Sequence, residues 1–542
     1  MPITRRRFLE AGALAAAATA LPRPLLAQIG RDPEPLPPIE DPRLKALAAR
    51  ALDAARAAGA SYADVRLTHT RERLFFALFT HDGESLEVGV RALVDGYWGF
   101  ASGPVWSPDE LARLGREAVH QAKVNALGKP RVVDLPPVPV VANGHWDMPV
   151  AIDPFEISPL EVQDFLGSLG SYSARLPGVH QVNGATASAT AQEKAFASTE
   201  GSYCTQRSWQ MSGDFSVVLE LEKPQKRAAF GLDCLTPAGM GWELFAAERI
   251  PRVRDHSLYE EIRRGVEETK ADMLLPVKPV DVGRYDTVLD ALSMASLVDG
   301  TLGRATELDR ALGYEANAGG TSYLNDPLGM VGTYRAGAPS LTLTAERAEP
   351  GAAATVRWDD EGVAPDAFTL VKDGVLTDFQ TTRESAGWMK DSYAKRGLPF
   401  RSHGCAGAST AIETPLQQAP NLTLAAGREA HDFESLVSGI TTGMAIKGAG
   451  VDMDFQHSSG LGAGQVFEVK NGKRVAVIAS AGFLFRSTEL WKALHTVGGE
   501  ASLRRYGMRT AKGEPAEYCY HSVTAAPAVV KELTLIDPLR KA

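Results

Sequence analysis

The sequence predicts an α+β fold in which an N-terminal domain of helices and antiparallel sheet precedes a β-rich, barrel-like C-terminal domain. Three observations support this fold. Apolar residues first follow a helical spacing, then alternate with period two in many short segments, and Asp-Gly or Asn-Gly pairs separate several of those segments. With 542 residues, the chain is long enough for two or three domains with cores of their own.

The first 27 residues are typical of an export signal. Arg5-Arg6-Arg7 resembles a twin-arginine motif, an Ala-rich apolar stretch covers 11–21, and Ala27 precedes a small-residue cleavage point. The apolar stretch is too short to span a membrane. We expect residues 1–27 to be a twin-arginine signal peptide and the protein to be periplasmic or secreted, without a membrane span. A basic tail before a surface helix is the alternative.

A proline-containing linker over 28–42 leads to the first expected helix, 43–58, which ends before Gly59. Its apolar stripe consists of Leu44, Leu47, Ala51 and Ala55. Strands over 62–69 and 86–94 follow, and the second of them ends in the hairpin turn Asp95-Gly96.

The next helix begins with Ser107 as its cap, Pro108 in the first turn and Glu110 in position to close a capping box. Residues 43–128 therefore form the predicted N-terminal α+β domain.

A mixed middle segment is expected over 150–275, after a Pro-rich passage and before the boundary at Pro276-Val277-Lys278-Pro279. Its predicted elements are a helix over 158–175, strands over 186–196 and 208–222, and a charged helix over 258–272.

The C-terminal domain is expected over 281–542, opening with a helix and continuing mostly as strands. Hairpin turns are predicted at Asp373-Gly374 and Asn471-Gly472. Further strands are predicted over 341–344, 368–371, 421–424, 466–469 and 475–479. An antiparallel, barrel-like or strongly curved sheet with one or two packed helices fits this pattern.

Charge and cysteine content exclude some classes of function. The net charge is -9, and no run of Lys and Arg follows the N-terminus, so a nucleic-acid surface is not expected. Four cysteines, which are Cys204, Cys234, Cys405 and Cys519, lack CxxC pairing and zinc-ribbon spacing. A disulfide among them is left open, because the connectivity does not follow from the sequence.

Residues 298–310, Val-Asp-Gly-Thr-Leu-Gly-Arg-Ala-Thr-Glu-Leu-Asp-Arg, closely resemble the HExxxH helix of the TldD/PmbA metallopeptidase family. The resemblance covers most of the chain and is clearest over 89–101, 305–315 and 358–363. It implies a zinc peptidase fold, a peptide substrate, and pairs in which a metal-bearing and a metal-lacking chain cleave unfolded peptides in a shared chamber.

The resemblance also indicates which family residues are missing. Asp299 and Arg304 stand at the two His positions, Gly300 stands at the Glu position, and Thr510, in Thr510-Ala511-Lys512-Gly513, stands at the third ligand, a Cys. A guanidinium cannot bind a cation, and Gly300 offers no base. Zinc chemistry needs such ligands and a carboxylate to accept a proton from the bound water. We therefore expect no catalytic residue, no metal and no cofactor.

Asp299 falls on the interior stripe of a regular helix, whose members are Val288, Leu292, Ala295, Asp299 and Leu302. A buried carboxylate needs a partner. Either Asp299 forms a buried ion pair with Arg304, or Gly300 breaks the helix and Asp299 caps the next turn, or some metal binding remains. Positions 299 and 304 lie about 140° apart on an ideal helix, so they share a face only if the helix is distorted or ends there.

Two other ion pairs in this motif are expected to be solvated, Arg304 with Glu307 and Glu307 with Arg310, at i, i+3 spacing.

Cys519 and His521 face the same way if they lie on a strand, and they could offer a thiolate and an imidazole to zinc. The family match places His521 near the old cleft. A packed Cys beside a structural His is the simpler interpretation.

Other candidate motifs indicate less. Asp359-Asp360-Glu361 lacks the spacing of a calcium loop, so a solvated or capping role is expected. The Gly-rich segment 460–464 does not lie between a strand and a helix, and no G-x-S-x-G occurs.

Three functions remain as hypotheses. The first is an exported, noncatalytic subunit that pairs, as a heterodimer or homodimer, with a TldD-like metal-bearing chain and helps to process peptides. The second is an active zinc peptidase with rearranged ligands, for instance Asp299, Cys519 and His521. The third is a peptide-binding scaffold that works alone.

Overall fold

The computed structural model describes residues 42–126, 133–223 and 225–539. The expected signal peptide lies outside the described residues, as does the expected linker except for Pro42, the first residue of the first helix. Among the described residues, no helix is both long and apolar enough to cross a membrane.

A seven-stranded sheet organises the N-terminal part, with strand order β3-β2-β1-β5-β6-β4 and β7 paired to β6. Its strands are β1 (Tyr62–Phe76), β2 (Thr80–Val94), β3 (Tyr97–Gly103), β4 (Gly144–Asp147), β5 (Val179–Ser198), β6 (Tyr203–Glu222) and β7 (Gln225–Gly231). Strand β1 pairs with β5 as well as β2, so this one sheet contains strands of both 43–128 and 150–275. The division of the chain into domains stays a prediction.

Helices cover one face of this sheet. They are α1 (Pro42–Ala58), α2 (Pro108–Asn125), α3 (Pro159–Ser173), α4 (Glu243–Ala246) and α5 (Leu258–Leu274). The apolar residues of α1 and α2 pack on β1 and β2, whereas α3 and α5 cover β5 and β6. Ser107 caps α2 as predicted, because its side chain accepts a hydrogen bond from the Glu110 N–H at 3.3 Å.

The C-terminal part contains a six-stranded sheet and a closed barrel. The sheet has the order β12-β11-β10-β15-β22-β21, and five strands, β16, β9, β23, β19 and β17, close a ring because β16 also pairs with β17. The strands not yet given are β8 (Val277–Pro279), β9 (Gly283–Leu289), β10 (Leu343–Glu346), β11 (Phe368–Lys372), β12 (Val375–Leu376), β13 (Ala406–Gly407), β14 (Leu416–Gln417), β15 (Asn421–Leu424), β16 (Thr442–Met453), β17 (Ser459–Lys470), β18 (Lys473–Ala479), β19 (Gly482–Arg486), β20 (Leu494–Val497), β21 (Arg504–Lys512), β22 (Glu517–Ala525) and β23 (Ala528–Ile536).

The α+β fold with a barrel in the C-terminal region is thus confirmed. Most strand pairs are antiparallel, but β4–β6, β8–β18, β9–β16 and β15–β22 are parallel. The predicted hairpin turns are present, and at Asn471-Gly472 both residues have positive φ, 48° and 73°, as a tight turn between twisted strands requires.

The remaining helices are short. They are α6 (Ala291–Val298), α7 (Leu308–Ala311), α8 (Pro327–Met330), α9 (Arg383–Trp388), α10 (Lys390–Lys395), α11 (Phe433–Ser438) and α12 (Ser487–Lys492). Helix α6 lies between barrel strand β16 and strands β21 and β22 of the six-stranded sheet, so its end faces residues from both layers.

One expectation for this region was wrong. The C-terminal part opens with strand β9 and not with the motif helix, and Val288 belongs to that strand. The helix begins only after Asp290, whose side chain accepts a hydrogen bond from the Ser293 N–H at 2.8 Å.

Candidate functional site

The degenerate motif follows α6 as a single π-helical turn over Asp299–Gly303. The N–H of Arg304 donates to the carbonyl oxygen of Asp299, five residues earlier. In such a turn, residue i+5 lies one turn above residue i, so positions 299 and 304 come to the same side of the helix. The helix is therefore neither regular nor broken at Gly300; it is widened.

Side chains hold the wide turn through two of its carbonyl groups and through Thr301. His457 Nδ1 lies 2.9 Å from the Gly300 oxygen, and Gln380 Nε2 donates to the Gly303 oxygen at 2.6 Å. Thr301 donates to Leu297 O and accepts from Trp491 Nε1 at 2.9 Å. These contacts fix the turn from several directions.

Asp299 faces Arg304 and His521. His521 Nε2 lies 2.9 Å from Asp299 Oδ1 and donates to it, because an ionised carboxylate can only accept. Arg304 Nε lies 3.6 Å from the same oxygen. Burial alone would raise the pKa of Asp299, but Arg304 and then His521 hold that pKa below its usual value. The carboxylate is thus charged and paired.

The expected solvated pairs of this motif are instead buried, so that prediction was wrong. Glu307 is 0% exposed, and its Oε2 accepts from Arg310 Nε at 2.9 Å and from Lys512 Nζ at 3.1 Å. Lys512 also donates to Asp309 at 2.7 Å. The start of helix α7 lies beside Lys512 of β21. The i, i+3 spacing, which predicts a surface pair, carries no information about this packing.

Gly300 occupies a crowded place. A Cβ built on it would lie 2.8 Å from Val451 Cγ2 and 3.3 Å from Met453 Cγ. Gly300, which the resemblance matches to the family's general base, therefore has no side chain and little room for one.

Thr510 and Cys519 face each other across β21 and β22, and His521 lies two residues further along β22. The third-ligand position is thus on the sheet face that also carries Lys512. Burial, followed by the charge of Asp360, raises the pKa of the Cys519 thiol to about 12. Cys519 is therefore a thiol at neutral pH, and all four cysteines are free.

A zinc ion does not fit the residues at this site. Arg304 places a guanidinium beside Asp299, where it would repel a cation. Asp299 and His521 do meet, but among the described residues no group of three His, Cys, Asp or Glu side chains is arranged to hold a metal. Of the ligands suggested for a rearranged site, the structure joins two and leaves Cys519 outside.

A cleft of about 500 Å³ lies between the N-terminal sheet and the C-terminal part. One wall is the uncovered face of β5 and β6, where Thr190 pairs with Gln210 and Gln192 with Ser208. The opposite wall includes residues 353–356, 407–410 and 518–520. Cys519 lines the cleft and links it to His521, because residues two apart on a strand share a face.

The acidic segment Asp359-Asp360-Glu361 borders the cleft but is buried, so the expectation of a solvated role was wrong. Asp360 accepts from Arg66 Nη1 at 3.1 Å and also binds Lys194. Glu361 pairs with Arg91 at 3.3 Å. The carboxylates thus connect the C-terminal part to cations of the N-terminal sheet. The capping role does occur at Asp359, which accepts from the N–H groups of Glu361 and Val363.

Several residues near the site are not predicted from the sequence. Lys512 stands out only as part of a segment that resembles the family, and His457 and Glu517 belong to no motif. The polar wall does have a sequence signal, since residues 185–192, Ala-Thr-Ala-Ser-Ala-Thr-Ala-Gln, alternate between small apolar and polar side chains. Burial, then the charge of Glu413, raises the pKa of Glu517 to about 8, and no local pattern indicates that.

Comparison with known proteins gives two matching sequence profiles. The PmbA/TldA metallopeptidase C-terminal domain matches residues 282–536, and PmbA/TldA metallopeptidase domain 1 matches residues 80–122. Together they cover more than half of the chain. A metalloprotease from Methanocaldococcus jannaschii is 22% identical over 440 aligned residues, and the match covers 78% of this chain and 86% of that protein.

Solved structures share the fold. A Thermotoga maritima protein described as a proposed modulator of a DNA gyrase superimposes with a TM-score of 0.65 at 16% identity, covering 91% of this chain and all of its own. TldE from Thermococcus kodakarensis superimposes with a TM-score of 0.63 at 14% identity, covering 90% of this chain and 99% of its own. At these identities the likeness is one of fold.

Proposed function

This chain belongs to the TldD/PmbA metallopeptidase family, and from that premise we propose that it is an exported, metal-free and noncatalytic member that helps to process peptides. It acts as a subunit beside a TldD-like chain that bears the metal. The peptide is held in part by the cleft of this chain, and hydrolysis takes place at the partner's metal.

The observation that carries this proposal is the pairing of Arg304 with Asp299. The π-helical turn brings the two former His positions to one side, which is the arrangement that two ligands of one ion would need. One position now carries a guanidinium, 3.6 Å from the carboxylate at the other. Gly300 adds no base and Thr510 no thiolate, so activation of water by a bound metal has no basis in these residues.

The cleft supports a peptide as the ligand. Its wall of β5 and β6 offers hydroxyl and amide side chains, which can donate to and accept from a peptide backbone of any sequence. A structural relative is named TldE, which is compatible with a TldD-like partner for this chain.

Elemental analysis of the mature chain tests the proposal most directly. The chain is purified from the periplasm without chelator and without a metal-binding tag. We expect no stoichiometric metal and no peptide hydrolysis by the chain alone, with hydrolysis appearing when a metal-bearing relative from the same cell is added. About one zinc per chain would overturn the metal-free proposal, since a single catalytic site binds one ion.

A second candidate is an active zinc peptidase with rearranged ligands, and the 2.9 Å contact between Asp299 and His521 favours it. Metal uptake would then be lost in Cys519→Ala or His521→Ala, whereas under the first proposal neither substitution changes the metal content. A third candidate, a scaffold that binds peptides alone, is favoured by the cleft. It predicts that the purified chain binds peptides but co-purifies with no metal-bearing relative.

Export is tested separately. Replacing Arg5 and Arg6 by Lys should keep the protein in the cytoplasm, because the twin-arginine pair is the expected signal. Fractionation of cells that produce the two versions measures this.

A further inference from the structure

The guanidinium of Arg304 makes no hydrogen bond within the described residues. Its side chain is 12% exposed, so it is mostly removed from solvent. Its nearest carboxylate oxygens are Asp299 Oδ1 at 3.6 Å and Glu307 Oε1 at 3.9 Å. Both distances exceed the usual hydrogen-bond range of about 2.7–3.2 Å. Several donors of this group therefore remain available.

Three other buried arginines form short hydrogen bonds to carboxylates. Arg310 Nε donates to Glu307 at 2.9 Å, Arg383 donates to Glu200 with two nitrogens at 2.9 Å each, and Arg91 donates to Asp64 at 2.6 Å. Compared with these three arginines, Arg304 lies far from its neighbouring carboxylates.

The carboxylates near Arg304 have closer partners. Glu307 Oε2 is bonded by Arg310 and by Lys512, at 2.9 and 3.1 Å. Asp299 Oδ1 is bonded by His521 at 2.9 Å. Arg304 is therefore the outer cation of the cluster, and neither carboxylate depends on it alone for a hydrogen-bond partner.

Two polar atoms in the cluster around Arg304 have no hydrogen-bond partner among the described residues. His521 Nδ1 and Glu307 Oε1 are both buried, and within the part of the chain that the structure describes neither has a hydrogen-bond partner. Buried polar atoms in proteins are nearly always paired, so these two atoms are able to bond to a ligand or to a bound water. His521 shares its strand face with Cys519, which lines the cleft, so this face of β22 leads from the cleft towards the cluster.

We infer that Arg304 binds a carboxylate group of a peptide that lies in the cleft, so that the degenerate motif recognises an anion in place of a metal ion. A guanidinium presents parallel N–H donors that match the two oxygens of a carboxylate. The choice of a peptide as the source of the carboxylate rests on the proposed function. The carboxylate chemistry rests on the geometry of Arg304.

Calorimetry with the full mature chain tests this inference with three probes. They are N-acetyl-trialanine with a free C-terminus, the same peptide as its C-terminal amide, and an amidated peptide of equal length with a central Glu. The first probe offers a terminal carboxylate, the third offers a side-chain carboxylate, and the second offers none. Whichever of the first and third binds identifies the source of the group.

Variants assign the binding to Arg304. We expect Arg304→Gln to weaken binding of the carboxylate peptide by about tenfold or more, and Arg304→Lys to weaken it less, because it keeps the charge but loses the fork. Arg486→Gln is the matched control, since Arg486 is 72% exposed, and its binding should equal that of the wild type. Circular dichroism and thermal unfolding check that each variant is folded.

The inference is overturned if Arg304→Gln binds the carboxylate peptide as tightly as the wild type, or if the amide binds equally well. It is also overturned if neither carboxylate peptide binds the wild type at millimolar concentration. Arg304 would then only neutralise its neighbours. These results are distinguishable from failure of the proposed function, which is decided by metal content, because zinc in the purified chain and binding through Arg304 are measured independently.

Discussion

Asp299 and His521 lie 222 residues apart in the chain and are joined by a hydrogen bond of 2.9 Å. Asp299 begins the π-helical turn after α6, whereas His521 lies on β22, so the contact links the motif helix to the six-stranded sheet. A direct bond between two side chains now connects elements that metal-bearing relatives are expected to connect through an ion.

A double-mutant cycle measures the strength of this link. We expect Asp299→Ala and His521→Ala to show a coupling of about 1–3 kcal/mol in the free energy of unfolding. Either substitution alone removes the hydrogen bond, so the second substitution does not add this loss again. Urea unfolding of the four proteins gives the value. The control pair is Glu429 and His431, which are 79% and 34% exposed at 2.8 Å, and its coupling should be below about 1 kcal/mol. Equal coupling in both pairs would contradict a special role for the buried contact.

Placing the family's ligands at the matching positions should create a metal site. The π-helical turn already brings 299 and 304 to one side of the helix, and Thr510 shares a sheet face with His521, which contacts Asp299. The variant Asp299→His, Arg304→His, Thr510→Cys should therefore take up about one zinc per chain, measured by elemental analysis. The same variant without Thr510→Cys should retain less zinc after dialysis. Absence of zinc from the triple variant would show that the turn no longer holds ligand geometry.

A glutamate at position 300 has a steric cost. Gly300→Glu should lower the free energy of unfolding by about 1–3 kcal/mol, because its Cβ would lie 2.8 Å from Val451 Cγ2. Val451→Ala in the same chain should recover part of this loss, and thermal unfolding measures both. If Gly300→Glu were as stable as the wild type, the crowding at this position would have no energetic weight.

Lys512 should be among the most sensitive lysines of the protein. Its side chain is 0% exposed and bonded to both Glu307 and Asp309, so Lys512→Met leaves two buried carboxylates short of a cation. We expect a loss of about 3–5 kcal/mol in urea unfolding. Lys372→Met, at an exposed lysine in a hairpin, should change stability by less than about 0.5 kcal/mol. A loss as small as that of the control would mean that Glu307 and Asp309 find other partners when Lys512 is removed.

Glu517 should make stability depend on pH. Burial, then Glu413, raises its pKa from 4.5 to about 8 in the folded protein. Since the folded state holds this proton more tightly than the unfolded chain, the stabilisation is complete below pH 4.5 and is lost as the pH rises through about 8. Glu517→Gln should therefore flatten the decline of the urea midpoint across this window. Glu489→Gln, at a residue 70% exposed, should decline in parallel with the wild type.

Local chemistry explains which parts of the fold were predictable. The Asp95-Gly96, Asp373-Gly374 and Asn471-Gly472 turns need positive φ, which few residues tolerate, so the sequence marks them clearly. The same is true of Ser107, whose cap needs only a neighbour three residues away.

Long-range pairing explains what was missed. Closure of the barrel depends on β9 pairing with β16 and β23, and no local pattern reveals such partners. The burial of Glu307 and Arg310 likewise follows from Lys512, some 200 residues later. At the site, the sequence predicts that Asp299, Arg304 and His521 are important. A regular helix would place 299 and 304 on different faces, and the sequence does not predict the π-helical turn that brings them to one side.

The π-helical turn also determines the direction in which the side chains after it point. Each residue in a regular helix rotates the next side chain by about 100°, so removing one residue from Asp299–Gly303 would turn Arg304 and Glu307 away from their present neighbours together. Lys512 would then lose its hydrogen bond to Glu307, and His457 would lose its contact with the Gly300 oxygen. Asp299–Gly303 should thus accept substitutions far more readily than insertions or deletions. The number of residues, more than their identity, preserves the π-helical turn.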